Sequence, residues 1–180
     1  MSMSDIAKLL IGAGERSADI RYASGLSTPD DFLYLESTAG KFVICSSLEF
    51  ARAKMECKPG VTVLNTADYA DGTNLGVITE LAKKYGIAKF LVPADFPLKL
   101  ADDLRLRELA VEPVTGAFFA EREFKTRDEV DKIVRAQRAA ERGMRRAWEV
   151  LGEAKVNAKK LLVWQKEVLT SERLRTEIDL

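Results

Sequence analysis

A chain of 180 residues that is 47% hydrophobic can bury a core of its own and is too apolar for a disordered segment. Its 28 basic and 28 acidic side chains cancel, which removes the net field that would draw it to nucleic acid or an anionic membrane. It has no histidine, which excludes Ser-His-Asp and Cys-His nucleophiles, a histidine base and every histidine-bearing zinc site, and leaves carboxylates, Lys, Tyr and Cys for any chemistry of its own.

In chain order, Ser4 is placed to cap a short helix that carries Ile6, Leu9 and Leu10 on one face and closes at Gly12 and Gly14. The start, with Asp5 before Lys8, lacks the basic-then-apolar order of a signal peptide. No apolar run approaches the ~20 residues that cross a bilayer, so a cytoplasmic protein is expected. Two strands follow, Ile20 to Ser24 and Phe32 to Glu36. The Gly25 to Asp31 connection between them is more polar and rigid than the Asn-Gly turn that suffices for a hairpin.

A third strand, Lys41 to Ser46, is joined through Thr38-Ala39-Gly40, and a helix from Leu48 to Met55 comes after it. Val61 to Asn65 reads as a buried strand. Asn74 is placed to cap a helix to Tyr85 with Leu75, Ile78, Leu81 and Ala82 inward, stopped by Gly86. Lys89 to Val92 (strand), Pro97 to Glu108 (helix) and Leu109 to Val114 (strand) complete an alternation that predicts an α/β fold: a three-layer α/β/α unit around a central mixed sheet.

From Thr126 the character changes. Thr126-Arg127-Asp128-Glu129 fits a capping box, and Val130, Ile133, Val134, Met144, Ala147, Trp148 and Leu151 keep helical spacing. Arg135, Arg138, Arg142, Arg145 and Arg146 form a basic stripe that Glu141 and Glu149 interrupt, so a solvated or domain-facing surface is expected rather than a nucleic-acid site. A brief apolar run, Leu161 to Trp164, precedes a last helix opened by Thr170-Ser171-Glu172 with Leu174 and Ile178 on one side.

Candidate sites are few. Gly12-Ala13-Gly14 resembles a dinucleotide fingerprint, but it reads as a helix stop and lacks the third glycine. Asp71-Gly72-Thr73-Asn74 could offer amides to an anion, although such cap loops are common. Asp30 with Asp31, and Asp102 with Asp103, are paired carboxylates, the second pair expected to serve solvation. Cys45 and Cys57 read as reduced, structural thiols.

Ala18-Asp19-Ile20-Arg21-Tyr22 with Ser24-Gly25, then Asp31-Phe32-Leu33, Leu48 to Ala53, and Arg122 to Thr126 before Glu129-Val130, together resemble the N-terminal domain of the creatinase and prolidase family, which includes Xaa-Pro aminopeptidases. Trp164 with Leu169 to Arg175 looks like the beginning of that family's pita-bread catalytic domain. The resemblance implies a sheet with a ribonuclease H-like motif. It also implies an α/β domain over 1–121, a linker helix over 122–152 and the start of a catalytic domain over 153–180.

In that family two divalent metal ions, such as manganese, sit on two Asp, one His and two Glu of the C-terminal half, where a bridging water attacks the bond before proline. None of those positions falls in these residues, so the chain alone is expected to be inactive and to hold no metal. A truncated Xaa-Pro peptidase acting on proline-containing peptides is the parent implied. The resemblance also places the loop Leu26 to Asp31 at a neighbouring subunit's cleft, with Tyr22, Pro29, Asp30 and Asp31 as rim residues.

The alternative is a free-standing α/β binding or scaffold module. A carboxylate or lysine enzyme finds no paired acid and base. Leu161, Val163, Trp164, Leu174 and Ile178 are expected to leave an apolar surface, poorly packed or docked on a second copy, and a homodimer is therefore expected, with no nucleic-acid or membrane partner.

Overall fold

The computed structural model describes residues 5–179, and Ser4 lies outside them. The chain divides into two compact units, one running to Arg122 and the other from Glu123 onward.

The first unit is built on a six-stranded sheet. Its strands are β1 (Asp5–Ala13), β2 (Asp31–Ser37), β3 (Gly40–Cys45), β4 (Val61–Asn65), β5 (Ile87–Val92) and β6 (Ala110–Pro113), in the order β4-β3-β2-β1-β5-β6. β2 runs antiparallel to both its neighbours, while β1 with β5, β5 with β6 and β3 with β4 are parallel. The sheet is mixed, as expected. Its hairpin is β2–β3, however, turning at Thr38-Ala39.

Alternation sorts the side chains between two layers. Leu33, Leu35, Phe42 and Ile44 face α3 (Asn74–Tyr85) and α4 (Leu98–Arg105), with Val77, Ile78, Leu81 and Leu104. Phe32, Tyr34, Val43 and Cys45 face the other way, with Ile20 of α1 (Ala18–Ser24) and Ala53 of α2 (Ser47–Glu56). Helices thus cover both faces of the sheet.

Two expectations are overturned at the start of the chain. Asp5–Ala13 is a strand, not a helix. β1 is buried on both faces, with Leu9 in one layer and Leu10 in the other, and such a strand carries apolar residues without a period of two. Residues 20–24 are helical, not extended: the Ser17 hydroxyl accepts from Ile20 N–H at 3.3 Å, and Gly25 closes α1 in the left-handed region at φ 81°. α3 is capped by Thr73, not Asn74, its hydroxyl accepting from Gly76 N–H at 3.1 Å. β4, expected to be buried, is an edge strand with intermediate exposure.

The second unit comprises α5 (Arg127–Glu153), β7 (Lys155–Val156), β8 (Leu162–Trp164), β9 (Glu167–Val168) and α6 (Ser171–Asp179). The capping box at Thr126 and Glu129 is present. The tail is better packed than expected: Trp164 is buried, its indole N–H donates to Glu153 at 2.8 Å, and the Arg146 and Arg173 guanidinium groups lie 5.5 and 5.7 Å from its ring. Leu161 and Ile178 stay exposed as expected, and α5 adds Val130, Ile133, Met144, Trp148 and Leu151 as further apolar residues open to solvent.

Candidate functional site

β1 is where the sheet's connections diverge. The chain leaves β1 through α1 on one face to reach β2, and it arrives at β5 through α3 on the other, so a crevice opens beyond the carboxyl ends of β1 and β5. A cleft of about 400 Å³ lies there, lined by Gly12, Ala13, Arg16, Ser17, Asp19 and Asp31, with Pro93 and Asp95 from beyond β5.

The loop between α1 and β2, which leads into the cleft residue Asp31, is fixed by main-chain contacts. Glu15 N–H donates to the Thr28 carbonyl at 3.2 Å, and Lys58 N–H donates to Ser24 O at 2.8 Å. The Ser24 hydroxyl, fully buried, donates to Ile20 O at 2.7 Å and accepts from Leu26 N–H at 3.1 Å. Gly14 lets the two segments touch: a Cβ there would stand 2.0 Å from the Leu26 carbonyl oxygen. From α2, Arg52 donates to Ser27 O at 2.5 Å and pairs with Glu56 at 2.8 Å. The neighbouring Glu49 buries one carboxylate oxygen with no hydrogen bond, 3.7 Å from the Arg52 guanidinium.

The four expected rim residues do not converge. Asp31 lines the cleft and pairs with Arg16 at 2.8 Å. Pro29 and Asp30 are exposed at the loop tip, where Asp30 N–H donates to the Thr28 hydroxyl at 3.3 Å. Tyr22 belongs to a separate cavity of about 110 Å³ with Tyr34, Glu36, Lys41, Lys58 and Phe119. Its ring meets Phe119 at 5.5 Å, with the Lys58 ammonium 4.4 Å away.

Other candidates resolve individually. Gly12-Ala13-Gly14 ends a strand and leads into a helix, the reverse of the helix stop expected, but α1 has only two turns and the third glycine is absent. The N-terminus of α3 is filled by the protein's own anion: Asp71 accepts from Thr73 N–H and hydroxyl, both at 2.8 Å. Those bonds hold its carboxyl below the usual range. Asp102 pairs with Arg105 and Asp103 with Lys99, so both are surface ion pairs.

Cys45 is buried and Cys57 half-buried, both free. Burial pushes both thiols up, Cys57 to about 11. Arg138, Arg142 and Arg145 are exposed and form no ion pair among the described residues. No cluster of three or more His, Cys, Asp or Glu able to hold a metal occurs among the described residues, and no helix among them is long and apolar enough to cross a membrane.

Arg16, Ser17 and Asp95 escaped the sequence reading. Ser17 and Gly25, seven residues of helix apart, were the available signal for α1. Asp95 carried none, since only the parallel pairing of β1 with β5 brings it near Arg16.

Neither a protein-family model nor a curated protein sequence matches the chain. Solved structures do. The prolidase from Pyrococcus horikoshii OT3 is 18% identical with a TM-score of 0.61, over 98% of this chain and 44% of its own. The X-Pro aminopeptidase from Thermotoga maritima MSB8 is 16% identical with a TM-score of 0.64, over 96% and 44%. The Xaa-Pro dipeptidase from Bacillus anthracis is 14% identical with a TM-score of 0.70, again over 96% and 44%.

The fold is that of prolidase-type peptidases. At these identities the likeness is one of fold, and the chain spans less than half the length of each of these three structures. The α/β unit, its mixed sheet and the long helix that follows are the features expected of the creatinase and prolidase N-terminal architecture.

Proposed function

We propose that this chain is the non-catalytic N-terminal part of an Xaa-Pro peptidase of the prolidase type. In this reading it supports oligomerisation, as a homodimer, and shapes the substrate cleft of a catalytic domain that hydrolyses the bond before proline. The observation that carries the reading is the match of nearly the whole chain to peptidases named for Xaa-Pro substrates, over 44% of each of their lengths. The missing histidines agree with it, because the metal ligands and the bridging water would belong to residues beyond these 180.

Asp30 and Asp31 would then act as rim residues on a neighbouring subunit's cleft. The loop suits that role, since its main chain is held by Gly14, Ser24 and Arg52 while its carboxylates stay exposed. Two measurements test the reading. The purified 180-residue chain should not hydrolyse Xaa-Pro dipeptides with or without manganese. In the full-length parent, Asp30→Ala with Asp31→Ala should change KM while kcat is kept; an unchanged KM removes the rim role.

A further inference from the structure

The two sides of β1 are paired to different lengths. Its ladder with β2 runs to Gly12↔Phe32 and Ala13↔Asp31, whereas its ladder with β5 ends at Lys8↔Leu91. β5 stops at Val92, and Pro93, with no N–H to donate, cannot extend it. Leu10–Ala13 therefore has a strand on one side only. All four residues line the 400 Å³ cleft, opposite Pro93 and Asp95.

We propose that this open edge of β1 binds an extended peptide by strand addition, the incoming chain taking the place that β5 vacates. A strand edge presents alternate N–H and C=O groups that an extended main chain satisfies whatever its side chains. The Ala13 carbonyl already accepts from Arg16 and Ser17 N–H at 3.0 and 2.8 Å, so Leu10–Gly12 with the Ala13 N–H offers about 10 Å of such edge, enough for about three residues. Gly12 has no side chain to obstruct the approach, and a Cβ there would meet nothing nearer than Ser17 Cβ at 3.6 Å.

The charges select the peptide. Asp95 is exposed and has no ion-pair partner among the described residues, while Arg16 and Asp19 are already engaged by Asp31 and Arg122. The unmatched charge of the cleft is negative, so the ligand carries a cation, a lysine or arginine side chain or an amino terminus, at the Asp95 end. The inference does not depend on the peptidase reading, because binding is read without turnover.

The test uses the full chain labelled with nitrogen-15 and titrated with the capped peptide acetyl-Thr-Val-Lys-Val-amide. The expected result is that the amide signals of Leu10–Ala13 shift and that hydrogen exchange slows at the alternate amides that face away from β2. The same peptide N-methylated at alternate residues should bind about tenfold more weakly, because about two main-chain hydrogen bonds are lost. Asp95→Asn, a surface change that leaves the fold intact, should weaken the lysine peptide and leave its norleucine counterpart unaffected.

Equal affinity for the N-methylated peptide, or no shift in Leu10–Ala13 at millimolar peptide, overturns the proposal. So does sedimentation as a dimer in which those amides are protected without peptide, since a second copy then occupies the edge. None of these outcomes touches the KM test of Asp30 and Asp31, so the two readings fail separately.

Discussion

Arg52 of α2 donates to the main-chain oxygen of Ser27 at 2.5 Å, and the same guanidinium pairs with Glu56 at 2.8 Å. A helix on one face of the sheet thereby holds the loop that leads into Asp31 at the cleft. A carbonyl anchored by a charged donor is fixed more firmly than one bonded to a neutral group.

Arg52→Ala should release that anchor. Amide exchange across residues 26–31 is expected to accelerate about tenfold while the sheet amides stay protected, the signature of local opening. Hydrogen-exchange mass spectrometry reads this directly, and unchanged exchange in the loop would show that Gly14 and Glu15 hold it unaided.

Glycine substitutions should diverge in sign. Gly14→Ala forces a Cβ to within 2.0 Å of the Leu26 carbonyl, a main-chain atom that cannot swing away, and is expected to cost about 2 kcal/mol or more. Gly152→Ala, inside α5 with nothing within 4 Å and no left-handed φ, should stabilise by about 0.5–1 kcal/mol. Urea midpoints of the two variants check both.

Most elements were legible in the sequence because local signals and tertiary demands agreed. β2, β3, α2, α3 and α5 have apolar periods and turn or cap residues that point one way. Two stretches misled for physical reasons. In β1, Ile6, Leu9 and Leu10 mimic a helical face because a doubly buried strand need not alternate. In α1, Ile20, Tyr22 and Ser24 mimic alternation because two turns are too short to reveal a period of 3.6. The cleft stayed hidden for a different reason: Gly12, Arg16, Asp31 and Asp95 are brought together by pairing between strands remote in sequence, and no local spacing encodes that.

Alkali should act through Cys57, which burial moves from 9.0 to about 11. A thiol whose pKa is higher folded than unfolded binds its proton more tightly in the native state. Its contribution is therefore full below pH 9 and is lost as the pH climbs from 9 towards 11. Cys57→Ala should flatten the alkaline fall of the urea midpoint over that window. At pH 8 the native thiol should also react with a disulfide reagent on the order of a hundredfold more slowly than after unfolding, because its thiolate is scarcer.

The two tryptophans should report separately. Trp164 is 4% exposed and Trp148 is 73% exposed. Trp148→Phe should shift the native emission to the blue and Trp164→Phe to the red. Trp164→Ala should also cost about 3–5 kcal/mol by emptying the space beneath Arg146 and Arg173, measured as the loss of protection in β8 and α6.

The order of strands also sets a timetable for synthesis. β2 and β3 are neighbours in sequence and can close as soon as they leave the ribosome, and β1 can join β2 soon after. Lys8 meets Leu91 only when β5 emerges, and until then the central strand of the finished sheet is an edge strand of a nascent one. For that interval the whole length of β1, rather than its last four residues, is exposed to pairing with foreign strands, which makes the time between β3 and β5 the period in which this chain most needs a chaperone.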